Sequence, residues 1–436
     1  MPKTEYKKGD KTLLRAWAFY DWANSVYALV ISTAIFPLYF GTLFEESLYV
    51  EVFGINYKNT ALIQHLTSLV FICLAFMIPI LSGIADYLKN KVSFLKFFCY
   101  LGSISCIGLY FFTIENIYLG LFFYFFALFS FWASLVFYNS YLPEIAFPHQ
   151  QDKVSAQGFS YGYIGSVLLL LINLLMVLYP STFGFQDTIE PMRISFVMVG
   201  LWWAGFSQYT FYYLPKNQIQ LTNKNILKKS VLFGGFSELN NVWKIIKKQK
   251  SIKKFLIAFF VFSCALQTII LIATYFGEQE IIWREGEKQI GLIISMLLIQ
   301  LIAIIGAMLT AKFSEKFGNI QTLIFLNIFW FFLCVGGYFI KFSYEFYVIA
   351  ALVGLVMGGI QALSRSTYSK LIPETKNTCS YFSFYQMCMI ISISLGTFMS
   401  GIIDQLTGSL RNSIIVFAII FIFGALLLKG IKMKKL

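Results

Sequence analysis

Apolar runs of about span length, broken by short polar intervals, dominate this chain of 436 residues. An α-helix rises about 1.5 Å per residue and needs roughly 20 apolar residues to cross a hydrocarbon core. Twelve runs meet that length: 16–40, 61–84, 92–113, 118–142, 156–179, 193–214, 254–276, 289–311, 320–340, 346–370, 379–402 and 411–429. They far exceed strand length, and lipid offers no partner to open backbone, so each run predicts a helix. The fold class expected is an all-α membrane protein with twelve transmembrane helices.

Composition supports this class. The chain is 58% hydrophobic and 13% charged, against about 25% charge in soluble domains. A net charge of +13 could point to nucleic acid, but its distribution does not. With the N-terminus taken as cytoplasmic, all but six of the 34 lysines and arginines fall in cytoplasmic segments. The exceptions are Lys58, Arg193, Arg284, Lys288, Lys341 and Arg411. The positive-inside rule is met with both termini in the cytoplasm. The charge therefore reads as a topology signal, with membrane lipids as partners through anionic headgroups, and nucleic acid is not expected. The basic start MPKTEYKKGDKTLLR enters the first run without a small-residue cleavage site, so no cleaved signal peptide is expected. Seven dispersed cysteines form no CxxC pair, only two histidines are present, and no HExxH or Walker loop occurs. No metal and no cofactor are expected.

The longest polar interval, 215–253, divides the chain into an N-terminal half (1–214) and a C-terminal half (254–436). It carries KKQKSIKK, and its apolar patches VLFGGF and VWKII suggest short helices on the membrane surface. The halves echo each other. YNSYLPE (138–144) ends span four and YSKLIPE (368–374) ends span ten. Tyr138 and Tyr368, Pro143 and Pro373, and Glu144 and Glu374 share one offset. Asp86 and Glu315 occupy matching loops. Two six-helix halves related by a pseudo-twofold repeat follow.

The first span, AWAFYDWANSVYALVISTAIFPLYF, holds a carboxylate. On a helix, Asp21, Asn24, Ser25, Ala28 and Ser32 share a face, about three turns long, with Tyr27 nearby. A charge inside a membrane costs at least about 2.5–3.5 kcal/mol and usually faces the bundle or a cavity. One reading makes the stripe a cavity wall. The other leaves Asp21 wet at the interface within an aromatic belt of Trp17, Tyr20 and Trp22. Gln267 and Thr268 offer uncharged hydrogen bonds near the middle of span seven.

Several stretches carry a resemblance: YDWANSVYALVISTAIFPLYF, IPILSGIADYLKNK (78–91), FYNSYLPEIA (137–146), VSAQGFSYGYIGS (154–166), GGIQALSRSTYSKLIPE (358–374) and LTGSLRNS (406–413). The chain resembles the vacuole-effluxer family of the major facilitator superfamily, over nearly its whole length. Departures exist. Only Lys89 and Lys91 follow Asp86, where the superfamily loop clusters basic residues. Cys264 and Ala265 replace an Asp-Gly of some relatives, and span eleven lacks their charged residues.

The resemblance implies that spans one, four, seven and ten line a central cavity. Tyr138, Asn139, Gln361 and Arg365 then join Asp21, Asn24, Ser25, Tyr27, Gln267 and Thr268 on a substrate or proton pathway. Arg365 can pair with a substrate carboxylate, or with Asp21 or Glu144 across the pseudo-twofold. Gates are expected from Asp86 with Lys89, Glu144, Glu315, Ser364, Ser366 and Glu374. The expected function is a permease for small polar metabolites, amino acids first, with protons as a candidate coupling ion. The protein is expected as a monomer in a bacterial inner membrane. Peptides, sugars or organic anions as cargo, or a non-transporting receptor or scaffold on the same fold, stay open. No paired acids or histidines suggest an enzyme.

Overall fold

The computed structural model describes residues 6–44, 49–215 and 229–433. The first span is composite. Helix α1 (Lys11–Val26) passes into a π-helical segment, Tyr27–Ile35, and then α2 (Phe36–Leu43). Asp10 caps α1, its carboxylate accepting from the amides of Thr12 and Leu13. A hairpin, β1 (Tyr49–Val52) and β2 (Ile55–Lys58), turns through Phe53 and Gly54, both at positive φ. The N-terminal half continues with α3 (Asn59–Tyr87), α4 (Lys91–Gly108), α5 (Ile117–Asn139), the single-turn α6 (Leu142–Ile145), α7 (Pro148–Leu178) and α8 (Ile189–Tyr213).

The linker contributes α9 (Lys229–Lys248). The C-terminal half comprises α10 (Lys250–Gln279), α11 (Lys288–Phe317), α12 (Asn319–Phe339), α13 (Ser343–Leu371), α14 (Thr378–Thr407) and α15 (Leu410–Leu428). Twelve spans result, six in each half. Eleven are long and apolar enough to cross a membrane by composition alone. The twelfth, α8, carries Glu190, Arg193, Gln208 and several hydroxyls that dilute its apolar character. The protein is a multi-pass integral membrane protein built of two six-helix halves, the architecture the resemblance implies. Large apolar residues such as Phe76, Phe332 and Phe398 stay exposed around the bundle, where lipid would cover them.

The two halves meet where α7 packs on α11 and α13, and where α3 packs on α14. The start of α1, the linker helix and the end of α15 lie at one end of the bundle, here termed the terminal face.

Two expectations change. The linker was expected as short surface helices over 215–253. Residues 216–228 lie outside the described residues. The rest is one 20-residue helix, α9, and after Gln249 the next span begins at Lys250 rather than 254. Its second apolar patch is split by the helix: Val242 and Ile246 are buried, while Trp243 and Ile245 are exposed. The polar stripe of span one is also interrupted. It follows 3.6-residue periodicity only as far as Val26. Beyond it the helix widens, so that Phe36 N–H reaches Ile31 O and Thr33 Oγ1 donates to Ala28 O, both five residues back. Ser32 and Thr33 are exposed, unlike the buried Asp21 and Asn24.

Candidate functional site

The most deeply placed charges form one cluster across the two halves. Asp21 sits on α1 and Arg365 on α13, and both are at least 95% buried. Arg365 has five N–H donors, and its five hydrogen bonds match them. Nε donates to Ser155 Oγ (2.9 Å). Nη1 donates to Asp21 Oδ2 (3.1 Å) and Asn139 Oδ1 (3.3 Å). Nη2 donates to Asp21 Oδ2 (3.2 Å) and to the Ser155 carbonyl (2.8 Å). Tyr138 donates its hydroxyl to the same Asp21 oxygen at 2.9 Å.

Aromatic rings surround the guanidinium. Its centre lies 4.9 Å from the Trp17 ring, 5.5 Å from Tyr138 and 4.3 Å from Phe159. Trp17 stacks on Tyr138 and donates Nε1–H to the Tyr138 carbonyl. Gly158 makes this proximity feasible: a Cβ there would collide with the Asp21 carboxylate and lie 3.0 Å from Arg365 Nη2. Just beyond, Tyr163 of α7 donates to Gln361 Oε1 of α13 at 3.1 Å.

Two further clusters lie closer to the terminal face, one on each flank. On the first, Asp86 ends α3 and accepts the free N–H groups of α14, from Cys379 (3.1 Å) and Ser380 (2.7 Å). A carboxylate at a helix N-terminus satisfies orphan donors and complements the dipole. Beside it, Lys91 of α4 is ion-paired to Glu144 of α6 and donates to Thr378 of α14. On the second flank, Asp152 of α7 receives Lys370 (2.6 Å), Ser314 (3.0 Å) and Asn319 (2.8 Å) from the ends of α13, α11 and α12. The flanks correspond under the pseudo-twofold: the α3–α4 junction holds the start of α14, and the α11–α12 junction holds the start of α7.

Every side-chain hydrogen bond between the two six-helix halves, among the described residues, involves α7 no further along than Tyr163 or lies nearer the terminal face. The conformer is therefore closed on the terminal face. Its closure buries charges from both halves at their contact.

The predicted residues divide accordingly. Asp21, Tyr138, Asn139 and Arg365 converge in the central cluster, and Asp21 is not wet. Trp17 and Tyr20 are fully buried, so they do not form an interfacial belt. Asn24 is buried, and its Oδ1 accepts from Ser25 Oγ. Tyr27 packs inside the N-terminal half against Phe131 and Trp203. Gln267 is half-buried near Met389. Thr268 is fully buried, bonds back to Cys264 O and abuts Gly396 of α14. Ser364 and Ser366 likewise bond carbonyls of their own helix. Asp86 and Glu144 join the first flank. Lys89, Glu315 and Glu374 are exposed and form no ion pair among the described residues. Lys91, Asp152, Ser155, Phe159, Ser314, Asn319, Lys370 and Thr378 were not anticipated. Two of them carried a signal: Asp152 and Lys370 are opposite charges at the ends of spans five and ten, one in each half.

Comparison with known proteins agrees with this architecture. Residues 9–436 match the family described as Vacuole effluxer Atg22 like. An uncharacterized MFS-type transporter, YxiO of Bacillus subtilis, is 29% identical over 95% of this chain and 93% of its own length. Autophagy-related protein 22 of Saccharomyces cerevisiae is 24% identical over 65% of this chain, which spans 57% of that relative. Among solved structures, the major facilitator transporter FucP in its outward conformation superposes with a TM-score of 0.69 at 13% identity, covering 97% of this chain and 99% of that one.

Proposed function

Since the chain belongs to the vacuole effluxer family and has the major facilitator fold, we propose that it is a secondary transporter moving small polar metabolites, amino acids first, by alternating access. The observation that carries the reading is the Asp21–Arg365 contact across the two halves. A static scaffold gains little from it, because a buried ion pair often stabilises a fold no better than apolar packing. A transporter gains a contact that exists in one conformer and must be exchanged for another in the next.

The contacts support the following mechanism. In the closed conformer Asp21 neutralises Arg365, and Tyr138, Asn139 and Ser155 use the remaining hydrogen-bonding capacity. For the terminal face to open, α13 must leave α1, α5 and α7, and both charges need new partners. A zwitterionic substrate supplies them: its carboxylate replaces Asp21 at Arg365, and its ammonium takes Arg365's place at Asp21. A proton on Asp21 would serve the same end by removing one charge. Driven by 100 mV, one proton per cycle supplies about 2.3 kcal/mol. The terminal face is taken as cytoplasmic from the lysine and arginine distribution, and the membrane as a bacterial inner membrane, with the monomer as the working unit.

The test is uptake and counterflow of pooled amino acids in proteoliposomes, with and without an inward proton gradient, for wild type and Asp21→Asn. Gradient-stimulated accumulation lost in the variant while counterflow persists supports proton coupling through Asp21. No flux of any amino acid from folded protein rejects the cargo.

A further inference from the structure

The linker helix α9 carries contacts and exposed charges that the closure clusters leave unused. It straddles the seam between the halves. Toward the N-terminal half, Gly235 lies so close to Gly83 of α3 that a Cβ on either residue would meet the other's backbone, and Gly234 lies under the Tyr87 ring. Toward the C-terminal half, Glu238 Oε2 accepts from Asn377 Nδ2 at 2.6 Å, and Trp243 stacks on Phe384 of α14 with centroids 5.4 Å apart. Val242 and Ile246 fill the buried stripe. The helix therefore bridges α3 and α14, beside the flank where Asp86 and Lys91 hold the start of α14.

Its other side is basic and aromatic. Phe236, Trp243 and Lys247 follow one another at helical spacing on one exposed flank, and the Lys247 ammonium lies 4.9 Å from the Trp243 ring centre. Lys244, Lys247, Lys248, Lys250, Lys253 and Lys254 are all exposed, and none forms an ion pair among the described residues. Six unneutralised cations within eleven residues repel one another unless anions lie nearby. Only Glu238 supplies an acid on this helix, and it is engaged by Asn377. Helix α9 packs on α3 and α14 at the terminal face, the level at which a surrounding bilayer has its headgroups, and its exposed lysines and aromatics are the side left to meet them. Exposed aromatics beside lysines are the pattern of a helix lying in that layer.

We propose that α9 binds anionic lipid headgroups through this lysine and aromatic face, and that the bound lipid holds it as a brace favouring closure of the terminal face. The lipid-binding half of the proposal stands apart from transport; the brace half rests on the alternating-access reading. Each lysine near an anionic surface strengthens binding by about fivefold at moderate salt.

Full-length protein in nanodiscs tests it by hydrogen exchange of residues 234–248. In phosphatidylcholine containing 30% phosphatidylglycerol, exchange there is expected to slow by about tenfold or more relative to phosphatidylcholine alone. High salt should reverse the effect. The triple variant Lys244→Gln, Lys247→Gln, Lys248→Gln should lose it, with exchange of α3 and α14 interiors unchanged as the control for folding. Equal exchange in the two lipids overturns the proposal, as does an equal slowing in the triple variant. Slowing by inorganic phosphate in pure phosphatidylcholine would assign the site to free anions and reject the lipid. Spin labels at Lys89→Cys and Lys376→Cys read the brace: their separation should shorten with phosphatidylglycerol in wild type and not in the triple variant. Protection without shortening would retain the lipid site and reject the brace.

Discussion

Replacing Asp21 with asparagine keeps the side-chain volume and deletes the charge that neutralises Arg365. In the closed conformer Arg365 is 3% exposed, so the variant leaves a cation buried without a counter-charge. Removing one partner of a buried pair costs about 3–5 kcal/mol. A soluble protein would respond by unfolding. In the proposed alternating-access cycle a second conformer hydrates Arg365, so the penalty falls on the closed state. At about 1.36 kcal/mol per tenfold, the population ratio shifts toward the open terminal face by about two to four orders of magnitude. The double variant Asp21→Asn, Arg365→Met removes both charges and should recover most of the closed population, giving a coupling energy of about 2–3 kcal/mol between the sites. The assay is pulsed electron–electron distance measurement with labels at Lys89→Cys and Lys376→Cys, both exposed and on opposite halves. Only Cys73 and Cys388 among the native cysteines are half-exposed and need replacement beforehand. Identical distance distributions in wild type and Asp21→Asn would refute the argument. So would a double variant as open as the single one.

Three other outcomes follow from the flanks. Asp86→Asn replaces a carboxylate that accepts two N–H groups at the start of α14. It should weaken closure by about 1 kcal/mol, read as a broader distance distribution with the same labels. Asp152→Ala strips three donors of their acceptor and leaves Lys370 buried and unpaired. The melting temperature in detergent should fall by several degrees, and Lys370→Met in the same chain should restore part of it. By contrast, Lys89→Gln and Glu315→Gln touch exposed, unpaired groups. Transport in proteoliposomes should stay within about twofold of wild type, and a larger loss would place these residues in the gates after all.

The spans were legible because apolar run length is a direct consequence of bilayer thickness. The central pair was legible in part. Two charges inside spans demand partners, and Arg365 with Asp21 was one of the pairings the residues allowed. The neighbours were harder. Lys89 and Lys91 are two residues apart, and nothing local says which enters the seam. Asn90 decides it by capping α4 through Ser93 N–H, while Lys89 takes a positive φ in the turn and swings outward. Asp152 and Lys370 sit at span ends, where a charge ordinarily reads as interfacial. Only the packing of α7 on α13 reveals that they are buried together. Trp17 looked like a belt residue because tryptophan favours interfaces. Its burial depends on the Tyr138 carbonyl and the Arg365 guanidinium, both remote in sequence. The π-helical segment has no compositional signature, since i+5 bonding is selected by tertiary fit. The close approach of Gly83 and Gly235 joins two helices, α3 and α9, whose sequences share no pattern.

The most direct test of alternating access uses a contact already in place. Ser140 Oγ of the N-terminal half lies 3.2 Å from Cys379 Sγ of the C-terminal half, inside the closed terminal face. In Ser140→Cys the two thiols meet across the seam. Oxidation of that variant in proteoliposomes is predicted to stop amino-acid flux, and reduction to restore it, with wild type indifferent to both treatments. Undiminished flux through protein shown by mass spectrometry to be fully cross-linked would contradict the account, because it would mean that the halves need not part at this face for substrate to cross.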